Sequence, residues 1–319
     1  MSEGALFSVS VDLDGLGCYA AIHGLDADGL SERAHRAVPE AALSRLCESF
    51  ERQRVRATFF SIGRELSIPG AATTLARAAQ AGHEIASHSF SHDYALSRLP
   101  QAAIEADLLL AESEIERAAG RKPRGFRAPG YTLSPALLAA LRARGYLYDS
   151  SLLPSPPYYL AKALAIGLHA LSGQRSHSIL GNVGQLFGAR GAHVRAGVRE
   201  LPVSTVPLLG IPVIGTVVVG VGEGLAGFLA GRAFARARGD GLGSNHLHTN
   251  QRRRHFNLEL HGIDALDDTD VDAPGLARVQ PGLRLPAAVK LRRLEALLGR
   301  LRAQAESCTL EEAASRLFA

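Results

Sequence analysis

Four short segments carry side chains that could do chemistry together. Asp12 and Asp14 end the apolar run Leu6 to Val11. Residues i and i+2 of an extended chain share a face, so both carboxylates can enter one pocket. Asp14-Gly15 is also a turn signal, and a solvated turn is the plainer reading of that pair taken alone. His88 and His92 stand at i and i+4, a spacing from which a helical turn or a tight loop can bring two imidazoles onto one metal ion. With a carboxylate as third ligand, such a site keeps open positions, polarises a carbonyl and acidifies a bound water. In Arg127-Ala128-Pro129-Gly130-Tyr131, the guanidinium can hold a carboxylate and the Pro-Gly turn can free backbone N–H groups for an oxyanion. A structural salt bridge in a tight loop would use the same residues. His261, at the end of the run Asn257 to Leu260, is placed to act as a general acid for a leaving amine.

These residues need elements that bring them to one place. Leu6 to Val11 alternates apolar and polar residues, Ala57 to Ile62 and His83 to Ala86 read as further strands, and Gly125 to Arg127 and Tyr146 to Tyr148 as two more. Between them, helical spacing runs through Pro39–Phe50, Ala71–Ala81, Pro100–Ala119 and Ser134–Arg144. Strand–helix alternation predicts a parallel sheet, open or closed into a barrel, with chemistry at the C-terminal ends of the strands. The stretch 154–243 differs, being rich in Gly and Pro around the apolar run Val206 to Gly231. Pro207, Pro212, Glu223 and the repeated glycines argue against a membrane-spanning helix there. Buried strands and loops are expected instead, with a lipid-facing groove or interfacial segment as the alternative. Leu285–Leu301 and Leu310–Leu317 read as two surface helices closing the fold.

The chain has 319 residues, 46% apolar and 21% charged, enough to bury a full core and unlike a collagen, coiled-coil or disordered composition. A formal charge of +4 demands no acidic partner. Asn250 to His255 includes Arg252, Arg253 and Arg254 but no interleaved aromatics, so it reads as a solvated loop rather than a nucleic-acid site. Cys18, Cys47 and Cys308 are too scattered for a disulfide framework or thiolate zinc site. The N-terminus shows no basic region and long apolar core of a secretory signal, from which a cytoplasmic location is expected, with membrane association open.

Taken in order, Ser10-Val11-Asp12-Leu13-Asp14, Ala57 to Gly63, Gly82 to His92, Arg127 to Tyr131 and Leu258-Glu259-Leu260-His261 resemble the polysaccharide deacetylase family, carbohydrate esterase family 4. The resemblance spans residues 6–150 and 257–264, and Leu13 between the aspartates is similar to subgroups with a spaced Asp-x-Asp first motif. It implies an α/β fold, a distorted (β/α) barrel of about seven strands, forming a single catalytic domain over 1–319 with an apolar insertion at about 154–243. It further implies a divalent metal, zinc above all with cobalt, manganese or nickel as alternatives, held by Asp14, His88 and His92. Asp12 would be the general base steadied by Arg127, Tyr131 or its neighbour would supply an oxyanion N–H, and His261 would protonate the leaving nitrogen. The family's Asp-x-x-Asp-Trp element is missing, as the chain has no Trp, and Asp149, Glu200 or Asp264 could replace its carboxylate. The activity implied is hydrolysis of a non-peptide C–N bond, deacetylation or deformylation of an N-acylated sugar or related small amide that is lipid-linked in some subgroups. A non-catalytic carbohydrate- or lipid-binding protein on the same fold is the alternative.

Overall fold

The first strand, β1 (Leu6–Asp12), is buried along its whole length, and its alternation explains why. Phe7, Val9 and Val11 enter a large apolar cluster with Leu43, Leu46 and Phe50 of the helix Leu43–Arg52. Leu6, Ser8, Ser10 and Asp12 face the other way, into the concave side of a curled sheet. The computed structural model describes residues 5–171, 179, 185–238 and 255–319. The arginine cluster Arg252–Arg254 lies outside the described residues.

The remaining strands are β2 (Thr58–Ser61), β3 (Glu84–Ser87), β4 (Gly125–Phe126), β5 (Tyr148–Asp149), β6 (His193–Arg195), β7 (Val198–Glu200), β8 (His255–His261) and β9 (Glu306–Ser307). Along the path β7-β5-β4-β3-β2-β1-β8 every neighbour is parallel, which makes seven parallel strands. An antiparallel β6 extends the β7 edge, and β9 pairs with the start of β1. The chain after β7 bridges to β8: Ser204 N donates to Asn257 O at 3.0 Å, and Ile214 pairs with Glu259. The sheet therefore curls into the distorted (β/α) barrel expected from the sequence, its seam made by irregular backbone rather than by a ladder.

The register lines up the strand ends that carry chemistry. Asp12 lies beside His261 and Phe60, Ser61 beside Ser87, and Ser87 beside Phe126. At the opposite end, the helix Leu310–Leu317 is a plug rather than a surface helix, burying Leu310, Ala313 and Ala314 against Leu6, Phe60 and Tyr148. Its start is fixed by Leu310 N donating to Thr58 Oγ1 and Glu311 N to Glu84 Oε2, both 2.9 Å.

The apolar run Val206–Gly231 also departs from expectation. After a loop it forms a short turn, Gly215–Val218, and the helix Glu223–Arg238 begins within it. Ala226, Leu229, Ala230, Ala233 and Phe234 make a helical stripe that is buried, with Phe234 stacked edge-on against Phe256 of β8. This periodicity outweighs the glycines that suggested irregular chain. No helix among the described residues is long and apolar enough to cross a membrane. Cys18, Cys47 and Cys308 are free.

Candidate active site

Arg127 leaves β4 with its side chain fully buried across the barrel interior. Its guanidinium donates from Nη1 to Asp12 Oδ1 at 2.6 Å, from Nη2 to Ser10 Oγ and Ser150 Oγ, and from Nε to Ser150 O. It also lies 4.2 Å over the Phe60 ring. Burial works against the charge, but Asp12, Glu259 and Tyr131 together outweigh it and keep Arg127 ionised. One oxygen of Asp12 is thereby occupied, while Oδ2 faces His88 Nε2 at 3.8 Å.

Asp14, two residues beyond β1, meets both imidazoles: its Oδ1 is 3.3 Å from His88 Nε2 and 3.3 Å from His92 Nε2. The histidines come from a tight loop, not a helical turn. Ser89 and His92 take left-handed backbone conformations, φ 66° and 51°, a geometry unfavourable for side-chain-bearing residues that the surroundings must impose. Asp107 of the helix Gln101–Ala119 supplies part of that hold, its carboxylate accepting Phe90 N at 2.9 Å and Ser91 N at 3.0 Å. Ser89 Oγ accepts His92 N.

The donor set fits a divalent metal. His88 Nδ1 is 2.7 Å from Arg127 O, so that nitrogen carries the proton and Nε2 presents its lone pair. Asp14 Oδ1, His88 Nε2 and His92 Nε2 are buried without a hydrogen-bond partner, and the three residues' ligand atoms lie within 4.8 Å of one another. Orphaned buried polar atoms are costly, and three aimed at one point describe a cation site. Burial would raise the Asp14 carboxyl, yet the facing His92 and His88 hold it well below the usual range.

A second cluster, Asp12, Glu259 and His261, has equally short separations but is already supplied with protons. Tyr131 Oη donates to Glu259 Oε1 at 3.0 Å, and His261 Nδ1 lies 3.1 Å from the same oxygen. Burial favours neutral imidazole, but Glu259, Asp14 and Asp12 push His261 up to about 9. The Glu259 carboxyl is itself raised by burial. His261 Nε2 points toward Asp14 Oδ2, 4.0 Å away. This pair is an imidazolium held by a carboxylate at the rim of the metal-type cluster.

The carboxylate beside His261 is Glu259, not any of the three weighed from the sequence. Asp149 and Glu200 are register partners on β5 and β7 and face each other, whereas Asp264 accepts the backbone N–H of His261 at 2.8 Å. Glu259 and His261 are i and i+2 on one strand, the relation already used for Asp12 and Asp14. Tyr131 is brought to the site chiefly by its hydroxyl. Its own N–H donates to Ala128 O at 3.0 Å, Ala128 N–H donates to Ser151 Oγ and Pro129 has none, which leaves the Gly130 N–H as the oxyanion candidate of the turn.

Residues 37–148 match the polysaccharide deacetylase family. The chain is 29% identical over 165 residues to a peptidoglycan deacetylase from Helicobacter pylori, covering 50% of this chain and 54% of that protein. It thus spans about half the length of the curated relative it matches. A solved polysaccharide-deacetylase candidate from Mycobacterium smegmatis superposes with a TM-score of 0.64 at 18% identity, covering 100% of this chain and 92% of the other. A carbohydrate esterase family 4 pseudoenzyme from Bacillus anthracis gives 0.50 at 11% identity over 98% and 66%. Residues 37–148 are thus similar to the polysaccharide deacetylase family, and the whole chain shares the fold of the solved neighbour from Mycobacterium smegmatis.

Proposed function

We propose that the protein is a metal-dependent amide hydrolase that removes an acetyl or formyl group from an N-acylated sugar, with zinc as the first candidate ion. The observation that carries this reading is the buried, orphaned set Asp14, His88 and His92 lying between an Arg-held carboxylate and a Glu-held imidazolium. When bound, a divalent ion there would polarise the acyl carbonyl and lower the pKa of a water. Asp12 Oδ2 would take the proton from the attacking water, with Arg127 fixing the other oxygen. The Gly130 N–H, the one donor of the Pro129–Tyr131 turn not already spent, would receive the carbonyl oxygen as it becomes an oxyanion. His261, kept protonated by Glu259, would give its proton to the nitrogen as the C–N bond breaks, releasing a carboxylic acid and a free amine.

Exposed Leu160, Leu164, Leu208 and Leu209 give the 154–243 region a greasy surface, which supports a lipid-linked substrate met at a cytoplasmic membrane face. A non-catalytic binding role on this fold would leave the orphaned ligand atoms without a purpose. The test is elemental analysis of the purified protein alongside a screen of N-acetyl and N-formyl sugars for acid release. About one ion per chain, lost together with turnover in the His88→Ala/His92→Ala variant, is the expected result. Turnover that survives in that variant refutes the assignment.

A further inference from the structure

The sequence contains 35 Lys and Arg, of which only Lys122, Lys162 and Lys290 are lysines. Two of them have full partners. Lys122 pairs with Glu112 at 2.9 Å, and Lys290 donates to three carbonyls, those of Ile263, Leu266 and Gly282. Lys162 does not. Among the described residues its hydrogen bonding is a single 3.4 Å contact to Gly130 O, and no carboxylate lies within ion-pair distance. Its ammonium is 5.9 Å from the centre of the Tyr94 ring. Burial alone pushes it down to about 8. Lys162 is half-buried, and an ammonium partly withdrawn from water with few protein acceptors around it is costly to keep.

Its position shows what it can serve. Lys162 stands one helical turn beyond Tyr158 on the helix Pro156–Leu171, and Tyr158 packs edge-on against Tyr131 at 5.8 Å. Tyr94 in turn meets His92 edge-on at 5.1 Å. The ammonium therefore sits against both walls of the candidate site, the Gly130–Tyr131 turn and the Tyr94 ring. We propose that Lys162 is a subsite for an anionic group, so that the N-acyl sugar processed here carries a phosphate or a carboxylate close to the scissile amide. The inference rests on the deacetylase reading. A flexible point charge suits either anion without demanding the planar fork of arginine, and a neutral glycan would need no cation at this wall.

The test has two readouts. The first is kcat/KM for three N-acyl hexosamines: neutral, phosphorylated and carboxylate-bearing. Lys162→Gln should lower the anionic-to-neutral ratio by at least about tenfold, as loss of a charge-assisted contact does, and Lys162→Arg should restore part of it. A fall confined to the phosphorylated or to the carboxylate-bearing sugar identifies which anion the subsite takes. An unchanged ratio overturns the proposal, including the case where all three substrates lose equally because Lys162 only braces the turn. The second readout needs no turnover: NMR of the intact chain with its three lysines 13C-methylated, titrated with inorganic phosphate and with acetate. Movement of the Lys162 signal with Lys122 and Lys290 still supports the subsite, even if no N-acyl sugar is hydrolysed and the deacetylase reading falls. A Lys162 signal that moves no more than the others counts against it.

Discussion

Asp12 and Asp14 differ by two positions and by everything that surrounds them. Asp12 is tied to Arg127, whereas Asp14 looks only at imidazoles. The two should therefore fail differently. Asp14→Ala is expected to lose metal and activity together, measured by elemental analysis and acid release. Asp12→Asn should retain the ion while turnover falls by roughly 10²–10⁴, the usual worth of a general base; normal turnover would sink that role. Glu259→Gln removes the main charge that holds His261 at about 9. The imidazole should then titrate nearer 6.5, and since the proposed acid works only while protonated, the alkaline limb of the kcat profile should move to lower pH. An unmoved limb would separate Glu259 from His261. Asp12, Asp14, His88, His92, Arg127 and His261 could be picked from the sequence because their types and spacings are informative at short range. Asp107 and Lys162 could not, since each reaches its loop or turn from a helix remote in sequence. Glu259 carried a signal, the i, i+2 relation to His261, that was there to be used.

At the scale of elements, His83 offers a stability test away from the chemistry. It sits just past the helix Ala71–Gln80, accepts Ala57 N on Nδ1 at 3.0 Å, and is packed against Phe50 and Phe59. Burial, aided by Arg56, pushes it down from 6.5 to about 4. The unfolded chain thus binds this proton more readily than the folded one. Its contribution is complete above pH 6.5 and is lost as pH falls toward 4, in all about 3 kcal/mol. Denaturant midpoints measured across that window should decline in the wild type and flatten in His83→Asn. A decline of equal steepness in the variant would place the acid sensitivity elsewhere. The strands around His83 were legible because alternation and turn residues bound them. The helix Glu223–Arg238 was not, because its glycines masked a buried stripe. The two-residue strands β4 and β5 are defined by their neighbours more than by their own pattern.

Across the whole molecule, a layer of hydrogen-bonded polar groups lies between the site and the apolar plug of Leu310, Ala313 and Ala314. Asn257 is central to them: Oδ1 accepts from Ser10 Oγ at 2.9 Å and Nδ2 donates to Ser150 Oγ at 3.2 Å, while both hydroxyls also meet Arg127. Asn257→Ala should destabilise the fold by about 1–3 kcal/mol through the partners it strands, and lower turnover with metal retained because Arg127 loses its seat. Chemical denaturation and elemental analysis check the two halves, and loss of the ion would contradict the separation. The pairing of β1 with β8 has a consequence in time as well as in space. Leu6 to Asp12 are matched with His255 to His261, a contact between distant parts of the chain that is slow to close. Asp14, His88 and His92, by contrast, all come from the first three strand–loop units. During refolding, a metal-type cluster assembled early would stand beside an empty place until the strand bearing Glu259 and His261 arrives. Ion binding should therefore speed the early phase of recovery and leave the late appearance of activity unchanged.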